Sequence, residues 1–309
     1  MSRPKIFVIT GPTAAGKTSV GALLSKEIGG EVVSADSMQI YNHMEIGTAA
    51  PSKDERLGIT HHMIGVVDPR ADYSVACYVS DASKCVDDIL GRGISPVIVG
   101  GTGLYIESLL SGREFSAYSD VSLRKSLEDE YDIIGGDAML QKLCAFDPQS
   151  AAKLHSNDKK RIIRAFEVFK TVGKTISQHD IETKSLAPRY HAVKIAITFS
   201  DRAELYERIN SRVDYMIASG LEQEVRALLA MGVKPGMTAM QAIGYKEMVC
   251  AISGEMTMDE AIDVIKMESR RYAKRQLSWL RRDQSIQWIP WDKFPDAKQA
   301  VAQILSENF

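Results

Sequence analysis

Only four cysteines occur in the 309 residues (Cys77, Cys85, Cys144 and Cys250), and none forms a C-x-x-C pair or stands with a histidine at metal-ligand spacing. That pattern excludes a disulfide framework, argues against a zinc site and is expected of reduced thiols in a cytoplasmic protein. No apolar run approaches the ~18 residues needed to span a bilayer, so no membrane partner is expected. The first apolar run begins at Ile6 and leaves no room for a signal peptide. Charge of one sign is also missing. A formal net charge of −2 argues against a whole-surface nucleic-acid binder, although it leaves local basic patches open. Internal repeats, low-complexity tracts and heptads are absent, which removes solenoids and coiled coils.

What remains is an ordinary globular composition, 45% hydrophobic and 25% charged, in a chain longer than one usual domain. Its organising stretch is Gly11, Pro12, Thr13, Ala14, Ala15, Gly16, Lys17 and Thr18, which fits G-x-x-x-x-G-K-[ST]. The stretch lies between an apolar run at Ile6–Ile9 and a helical pattern from Ser19 to Ile28, the context in which these letters mean a phosphate cradle. Glycines let successive N–H groups turn toward one anion, and the following helix N-terminus adds its dipole. Lys17 supplies a cation, and the Thr18 hydroxyl can ligate Mg²⁺. A di- or triphosphate ligand is expected.

A second strand, Glu31–Ala35, delivers Asp36, Ser37, Met38, Gln39, Ile40 and Tyr41 at its carboxyl end, where open α/β sheets bind ligands. Asp36 there can take a proton from an acceptor substrate, or it can simply cap a turn. The paired His61 and His62 point to opposite faces of the chain, so a structural or loop role is favoured over metal binding. A helix over Tyr73–Leu90 precedes a third strand at Pro96–Val99. That strand runs into Gly100, Gly101 and Thr102 with no acid, where a typical P-loop ATPase places an Asp for Mg²⁺. The alternation of strand and helix then stops. From Ser116 to Pro188 helical patterns dominate (Val121–Glu130, Asp137–Phe146, Pro148–Leu154, Lys159–Val172), with Lys159, Lys160, Arg161 and Arg164 crowded at one end of the last. A basic rim or an ordinary solvated face both fit that charge run.

His191–Thr198 returns to a strand of the main sheet, and Arg202–Ser219 is amphipathic. Arg208 and Arg212 are one turn apart on it and share a face that can meet a diphosphate. Further helices are expected over Gly220–Gly232, from Gln241 onward and over Met258–Arg282. From Lys266 to the end of the last, Lys266, Arg270, Arg271, Lys274, Arg275, Arg281 and Arg282 face only Glu268 in opposition, which suggests a polyanion groove. The strand at Trp288–Trp291 and a terminal helix look structural. The expected fold is α/β, a P-loop NTPase-like parallel sheet flanked by helices, with an inserted all-helical lobe. Residues 1–115 and 189–309 would form the core and 116–188 the lobe. A small-molecule kinase explains the loop and Asp36, but neither the missing acid nor the basic insert. An alkyl transferase acting on nucleic acid explains all four.

The sequence resembles the tRNA dimethylallyltransferases (tRNA isopentenylpyrophosphate transferases) of bacterial type along nearly its whole length. The resemblance rests on the phosphate loop, the Asp36–Tyr41 and Gly100–Tyr105 motifs, His61-His62, Asn157-Asp158 with Arg161 and Arg164–Val168, Gln241–Tyr245, and Tyr272–Trp279. It implies transfer of a dimethylallyl group from dimethylallyl diphosphate to N6 of the adenosine just 3′ of the anticodon, by a monomeric enzyme using Mg²⁺. Asp36 would be the base and Thr102 would hold the adenine, while Lys17, the loop residues 11–18 and Arg212 would hold the diphosphate. Arg208 remains the alternative to Arg212. The family's contacts to the tRNA anticodon stem-loop carry over to Asp36, Ser37, Met38, Gln39, Thr102, Arg124, Lys160, Arg161, Ile162, Ile163, Arg164, Gln241, Ala242, Ile243, Gly244, Tyr245 and Lys246. Lys159-Lys160 stands where the family commonly has Pro-Gln, and Ala50 replaces a frequent lysine. A cytokinin-type transferase using free adenine nucleotides shares the loop and acid motif and is the nearest alternative.

Overall fold

A computed structural model describes residues 3–111, 121–184, 187–294 and 296–308. The chain divides into two compact units, Met1–Leu110 with Arg189–Phe309, and Ser111–Pro188. The expected boundary at residues 115–116 lies outside the described residues.

The first unit is built on β1 (Lys5–Thr10), β2 (Glu31–Ser34), β3 (His61–His62), β4 (Pro96–Val99), β5 (His191–Thr198) and β6 (Gln287–Pro290). They form one sheet in the order β3-β2-β4-β1-β5-β6, and every pairing is parallel. Parallel strands need long crossovers, and those crossovers put helices on both faces of a sheet. The central strands are accordingly apolar in both directions. Ile6 and Val8 of β1, Val33 of β2 and Ile98 of β4 enter one core, whereas Phe7, Ile9, Val32, Val97 and Val99 enter the other. The alternation is the period-two geometry of a strand.

Helices α1 (Lys17–Ile28), α2 (Val75–Gly91) and α3 (Gly103–Leu110) follow β1, the loop after β3, and β4. In α2, Tyr78, Ala82, Val86 and Ile89 recur at helical spacing and pack against β2 and β4, and Ser74 caps the N-terminus by accepting from the Cys77 amide. The second unit is all helical among the described residues: α4 (Val121–Ile134), α5 (Gly136–Phe146), α6 (Pro148–Ala151), α7 (Lys159–Val172) and α8 (Ile176–Lys184). Its own small core joins Leu127, Met139, Leu143, Ala151, Ile162, Ile163, Ala165 and Phe166. Helix α8 was not expected from the sequence, and its weak amphipathicity is the reason: Ile176 and Ile181 are five residues apart and do not make a stripe.

After β5 come α9 (Arg202–Ala218), α10 (Leu221–Ala230), α11 (Tyr245–Ile252), α12 (Met258–Leu280) and, past β6, α13 (Ala297–Asn308). Helices α9 and α12 serve both cores. Leu205 and Ile209 of α9 and Ala273 of α12 join the β1/β5 side, whereas Val213, Met216, Ala261 and Ile265 join the other. They thereby pass the carboxyl ends of the central strands and form a wall there. One expectation is revised at this point. Helix α11 begins at Tyr245 rather than Gln241, because residues 239–241 form a separate 3-10 turn and Gly244 interrupts with φ 99°. His61 and His62 form a sheet-edge strand, in which His62 Nε2 meets Glu31 at 2.7 Å and His61 Nδ1 meets the Ile59 carbonyl at 2.9 Å.

Candidate active site

The carboxyl ends of β1, β2 and β4 converge on one crevice. The loop after β1 curls because Gly11 (φ 141°) and Gly16 (φ 83°) adopt conformations that L side chains avoid, and Ala14 follows with φ 62°. At Gly11 a Cβ would stand 2.4 Å from the Ile197 carbonyl oxygen, so β5 is too close for any side chain. The loop ends on α1, which has no acidic residue in its first turn, so its free N–H groups remain available to an anion.

Two cations serve this crevice. Lys17 Nζ donates to the Pro12 carbonyl at 2.7 Å, and Arg212 Nη2 donates to the Thr48 carbonyl at 3.3 Å. Both residues are partly buried overall, but their charged ends sit among protein atoms, and the Arg212 Nε is buried without a partner. Neither ion-pairs with a carboxylate among the described residues. Desolvation, with the Arg212 charge second and Asp36 opposing, lowers Lys17 to about 7. Burial also lowers Arg212. Of the two candidate arginines, Arg212 lines the cleft. Arg208 is exposed and braces the outside of the loop, with Nε donating to the Ala14 carbonyl at 3.2 Å and its guanidinium over the Phe199 and Trp291 rings.

Asp36 stands at the end of β2. Its Oδ1 accepts from the Met38 amide at 2.9 Å and the Gln39 amide at 3.3 Å, so the turn-capping role is real. One carboxylate oxygen does that work, and among the described residues Oδ2 carries no hydrogen bond. Thr102 is tied to the same segment: its hydroxyl accepts from the Ser37 amide at 3.0 Å while its own amide donates to the Ala35 carbonyl. Asp36, Ser37, Met38 and Thr13 share a cleft of about 340 Å³ with Gly47, Thr48, Arg212, Gln241, Ala242, Ile243 and Lys246. Ile209, Val213, Met216 and Ile265 supply an apolar wall, and Glu268, Ser269, Tyr272 and Arg275 of α12 close the side. Burial, and secondarily the Asp36 charge, pushes Tyr272 up to about 12.

The sequence did not disclose Gln276, although it lies inside the quoted Tyr272–Trp279 motif. This buried amide accepts from the Thr13 N–H at 2.8 Å and donates to the Gly101 carbonyl at 2.9 Å, fastening the phosphate loop to the turn after β4. A mid-helix glutamine carries no sequence signal for such a role, since it depends on which helix face meets the sheet. Trp291, which the sequence marks only as structural, touches the site's loop. Its ring lies 3.1 Å from where a Cβ on Gly16 would stand, so it packs directly on the phosphate loop.

The expected tRNA-contacting positions divide by burial. Ile162 and Ile163 lie in the core of the second unit, and Tyr245 is fully buried in the first. Ala242 and Gly244 are also buried, while Gln241 and Lys246 are exposed and Ile243 is half-buried. Lys160 and Arg161 are exposed on α7, as is Arg124 on α4. Arg124 and Arg164 each reach the buried Glu167 at 3.4 Å, and Lys159 is engaged by Asp132 and the Tyr131 ring. The basic run of α12 is partly engaged, and Arg271, Lys274, Arg275, Arg281 and Arg282 remain exposed. Lys266 pairs with Asp214 and Arg271 with Glu268, Arg270 bonds Asn210, and Arg275 and Arg282 lie over Tyr272 and Trp279. Of these partners Asp214 and Asn210 come from α9, whereas Glu268, Tyr272 and Trp279 lie on α12 itself.

A strand, a glycine loop with its lysine, and a carboxylate facing it at the next strand end define a P-loop NTPase-like α/β protein equipped for group transfer. The particular family follows from comparison with known proteins. The model of the "IPP transferase" family matches residues 39–283, and that of "Isopentenyl transferase" matches residues 4–65. The chain belongs to the IPP transferase family. It is 44% identical over 300 residues to the tRNA dimethylallyltransferase of Acetivibrio thermocellus, covering 97% of this chain and 96% of that protein. It is 46% identical over 301 residues to the tRNA dimethylallyltransferase of Carboxydothermus hydrogenoformans, covering 97% and 94%. The crystal structure of the tRNA isopentenylpyrophosphate transferase of Staphylococcus epidermidis superposes with TM-score 0.73 at 37% identity, covering 99% of each chain. A eukaryotic dimethylallyltransferase captured acting on tRNA superposes with TM-score 0.77 at 29% identity, covering 90% of this chain and 70% of that one.

Proposed function

We propose that this protein transfers a dimethylallyl group from dimethylallyl diphosphate to N6 of the adenosine 3′ of the tRNA anticodon, releasing diphosphate. The observation that carries the reading is the composition of one cleft: Arg212 and Thr13 of the phosphate loop, an apolar wall, and the Asp36 carboxylate all line it. A diphosphate needs the first, an allyl chain the second and an amine the third. The family membership and the relatives acting on tRNA favour this reading over transfer to a free adenine nucleotide or a kinase reaction.

In the reaction the bond from N6 to the allylic carbon forms as the bond from that carbon to the diphosphate oxygen breaks. The α1 amides, Lys17 and Arg212 stabilise the charge gathering on the leaving group. An exocyclic adenine amine is a weak nucleophile, so Asp36 accepts its hydrogen and directs the lone pair. Two amides clamp Oδ1, which fixes the carboxyl rotamer and leaves Oδ2 to face the amine. Thr102 hydrogen-bonds beside the adenine. The base must leave its stack to reach the crevice, so recognition depends on loop shape and splayed bases. On this reading Asp36 to Gln39 and the exposed Gln241 and Lys246 meet the target region, while Arg124, Lys160, Arg161 and Arg164 meet the backbone of the stem-loop.

Mg²⁺ fits as an ion carried in with the diphosphate. Among the described residues no three His, Cys, Asp or Glu side chains gather as a metal site, and Mg²⁺ ordinarily takes phosphate and water oxygens with few protein ligands. Thr18 would supply one ligand, and the bound ion would neutralise charge on the leaving group. No helix among the described residues is long and apolar enough to cross a membrane. Action as a cytoplasmic monomer completes the reading.

The test is a transfer assay with labelled dimethylallyl diphosphate and Mg²⁺, offering unmodified tRNA or AMP. Label on the adenosine beside the anticodon is expected. Label on AMP alone would move the protein to the free-nucleotide class, and ATP consumption with a small acceptor would make it a kinase.

A further inference from the structure

The element Gly47-Thr48-Ala49-Ala50 had no function assigned from sequence, and Tyr245 turns out to be too buried to touch RNA. One carboxylate connects them. Glu224, on α10, receives three donors: the Ile46 amide at 2.8 Å, the Gly47 amide at 3.0 Å and the Tyr245 hydroxyl at 2.6 Å. The loop lies so close to the Tyr245 ring that a Cβ on Gly47 would stand 2.4 Å from it. Burial and the Glu224 charge hold the Tyr245 phenol far above its ordinary range, so it remains a donor throughout the physiological range.

The next residue carries the consequence. The Thr48 carbonyl is the acceptor for Arg212 Nη2, and Gln39 Nε2 donates to the carbonyls of Thr48 and Ala49. Among the described residues Arg212 forms no ion pair with a carboxylate, so this neutral carbonyl fixes where its guanidinium points. A buried guanidinium held by one carbonyl keeps its remaining donors for an incoming anion. A shift of the carbonyl would move the cation relative to the phosphate loop.

We propose that Glu224 and Tyr245 are positioning residues for the diphosphate subsite, acting through the 46–48 loop and the Thr48 carbonyl to aim Arg212. The inference rests on the diphosphate reading of the cleft. Neither side chain touches substrate. The pair serves leaving-group binding rather than tRNA binding, although Tyr245 belongs to a stretch whose sequence resemblance pointed to tRNA.

The experiment is a double-mutant cycle on the full-length protein, with inorganic diphosphate and Mg²⁺ titrated by calorimetry. Tyr245→Phe keeps the ring that packs on Gly47 and removes only the hydroxyl. Glu224→Gln keeps the shape and removes the charge. Each is expected to weaken diphosphate binding by about 5- to 20-fold and to raise KM for dimethylallyl diphosphate while leaving KM for tRNA unchanged. In an Arg212→Ala background, the same substitutions should cost less than about 2-fold, because their route is already cut. A full loss that persists without Arg212 would overturn the proposal, as would unchanged binding in both single variants. Failure of the wild-type protein itself to bind diphosphate would instead remove the reading of the cleft on which the proposal stands.

Discussion

Lys17 and Arg212 in the first unit and the basic residues of α4 and α7 in the second are held in opposite ways. In the first, Lys17 and Arg212 have their charged ends inside the protein and lean on backbone carbonyls, with no ion-paired carboxylate among the described residues. In the second, Lys160 and Arg161 stand in solvent, and Arg124 and Arg164 are backed by the buried Glu167. A desolvated cation without a counter-ion is costly and keeps its field unscreened, which suits a small anion bound at one place. Solvated or backed cations act weakly one by one, and they suit a long polyanion bound through many contacts. On the proposed function, the contrast distinguishes the diphosphate subsite from the tRNA-docking residues on physical grounds.

The sharpest way to break that contrast is to remove charge from the cleft. Lys17→Ala and Asp36→Ala should each lower turnover by roughly 100-fold or more, with tRNA binding retained in a filter-binding assay. Asp36→Ala with unchanged turnover would remove the base assignment. Next in size is a pH effect. Lys17 is held at about 7 against an ordinary 10.5, so between those values the unfolded chain binds more protons than the folded one. The free protein therefore carries the full cost of the buried cation below pH 7 and gains stability as pH rises toward 10.5. Thermal unfolding should record a rising midpoint over that window from this group, and a flat profile like that of Lys17→Arg would refute it. Diphosphate binding at pH 8 should take up a proton, seen as a dependence of binding heat on buffer ionisation enthalpy.

In the second unit the effects should be smaller and salt-dependent. Replacing Lys160 and Arg161 by Ala should weaken tRNA binding by about 10-fold and reduce the slope of log affinity against log salt by roughly 2, with diphosphate affinity unchanged. An unaltered slope would return these residues to an ordinary solvated face. Smallest of all, Glu167→Gln should lower the unfolding midpoint by only a few degrees, since its two partners are half in solvent, while tRNA binding becomes more variable with salt as the arginines lose their anchor. A large fall in transfer activity at saturating tRNA would contradict the assignment of that cluster to docking.

Much of both units was legible because the signals are local. The phosphate loop, the strands at Pro96–Val99 and His191–Thr198 and the helix at Lys159–Val172 each declare themselves through glycine spacing or one periodicity. Asp36 was legible because strand ends in such a sheet face the ligand. Residues such as Gln276, Glu224 and Trp291 were not, since their roles come from partners 175, 178 or hundreds of positions away in sequence. In the basic run from Lys266 to Arg282 the sequence likewise could not show that Asp214 and Asn210 of α9 engage Lys266 and Arg270, while Lys274 and Arg281 stay exposed.

The sequence by itself determined the parallel sheet, the phosphate loop and the identity of the groups that can bind an anion or accept a proton, because backbone preference and side-chain chemistry are properties of short stretches. Only the tertiary structure decided that Arg212 rather than Arg208 enters the cleft, that Tyr245 serves Glu224 and that Gln276 locks the loop. Burial and hydrogen-bond partnership are set by which surfaces pack together, and residues far apart in the chain settle that jointly.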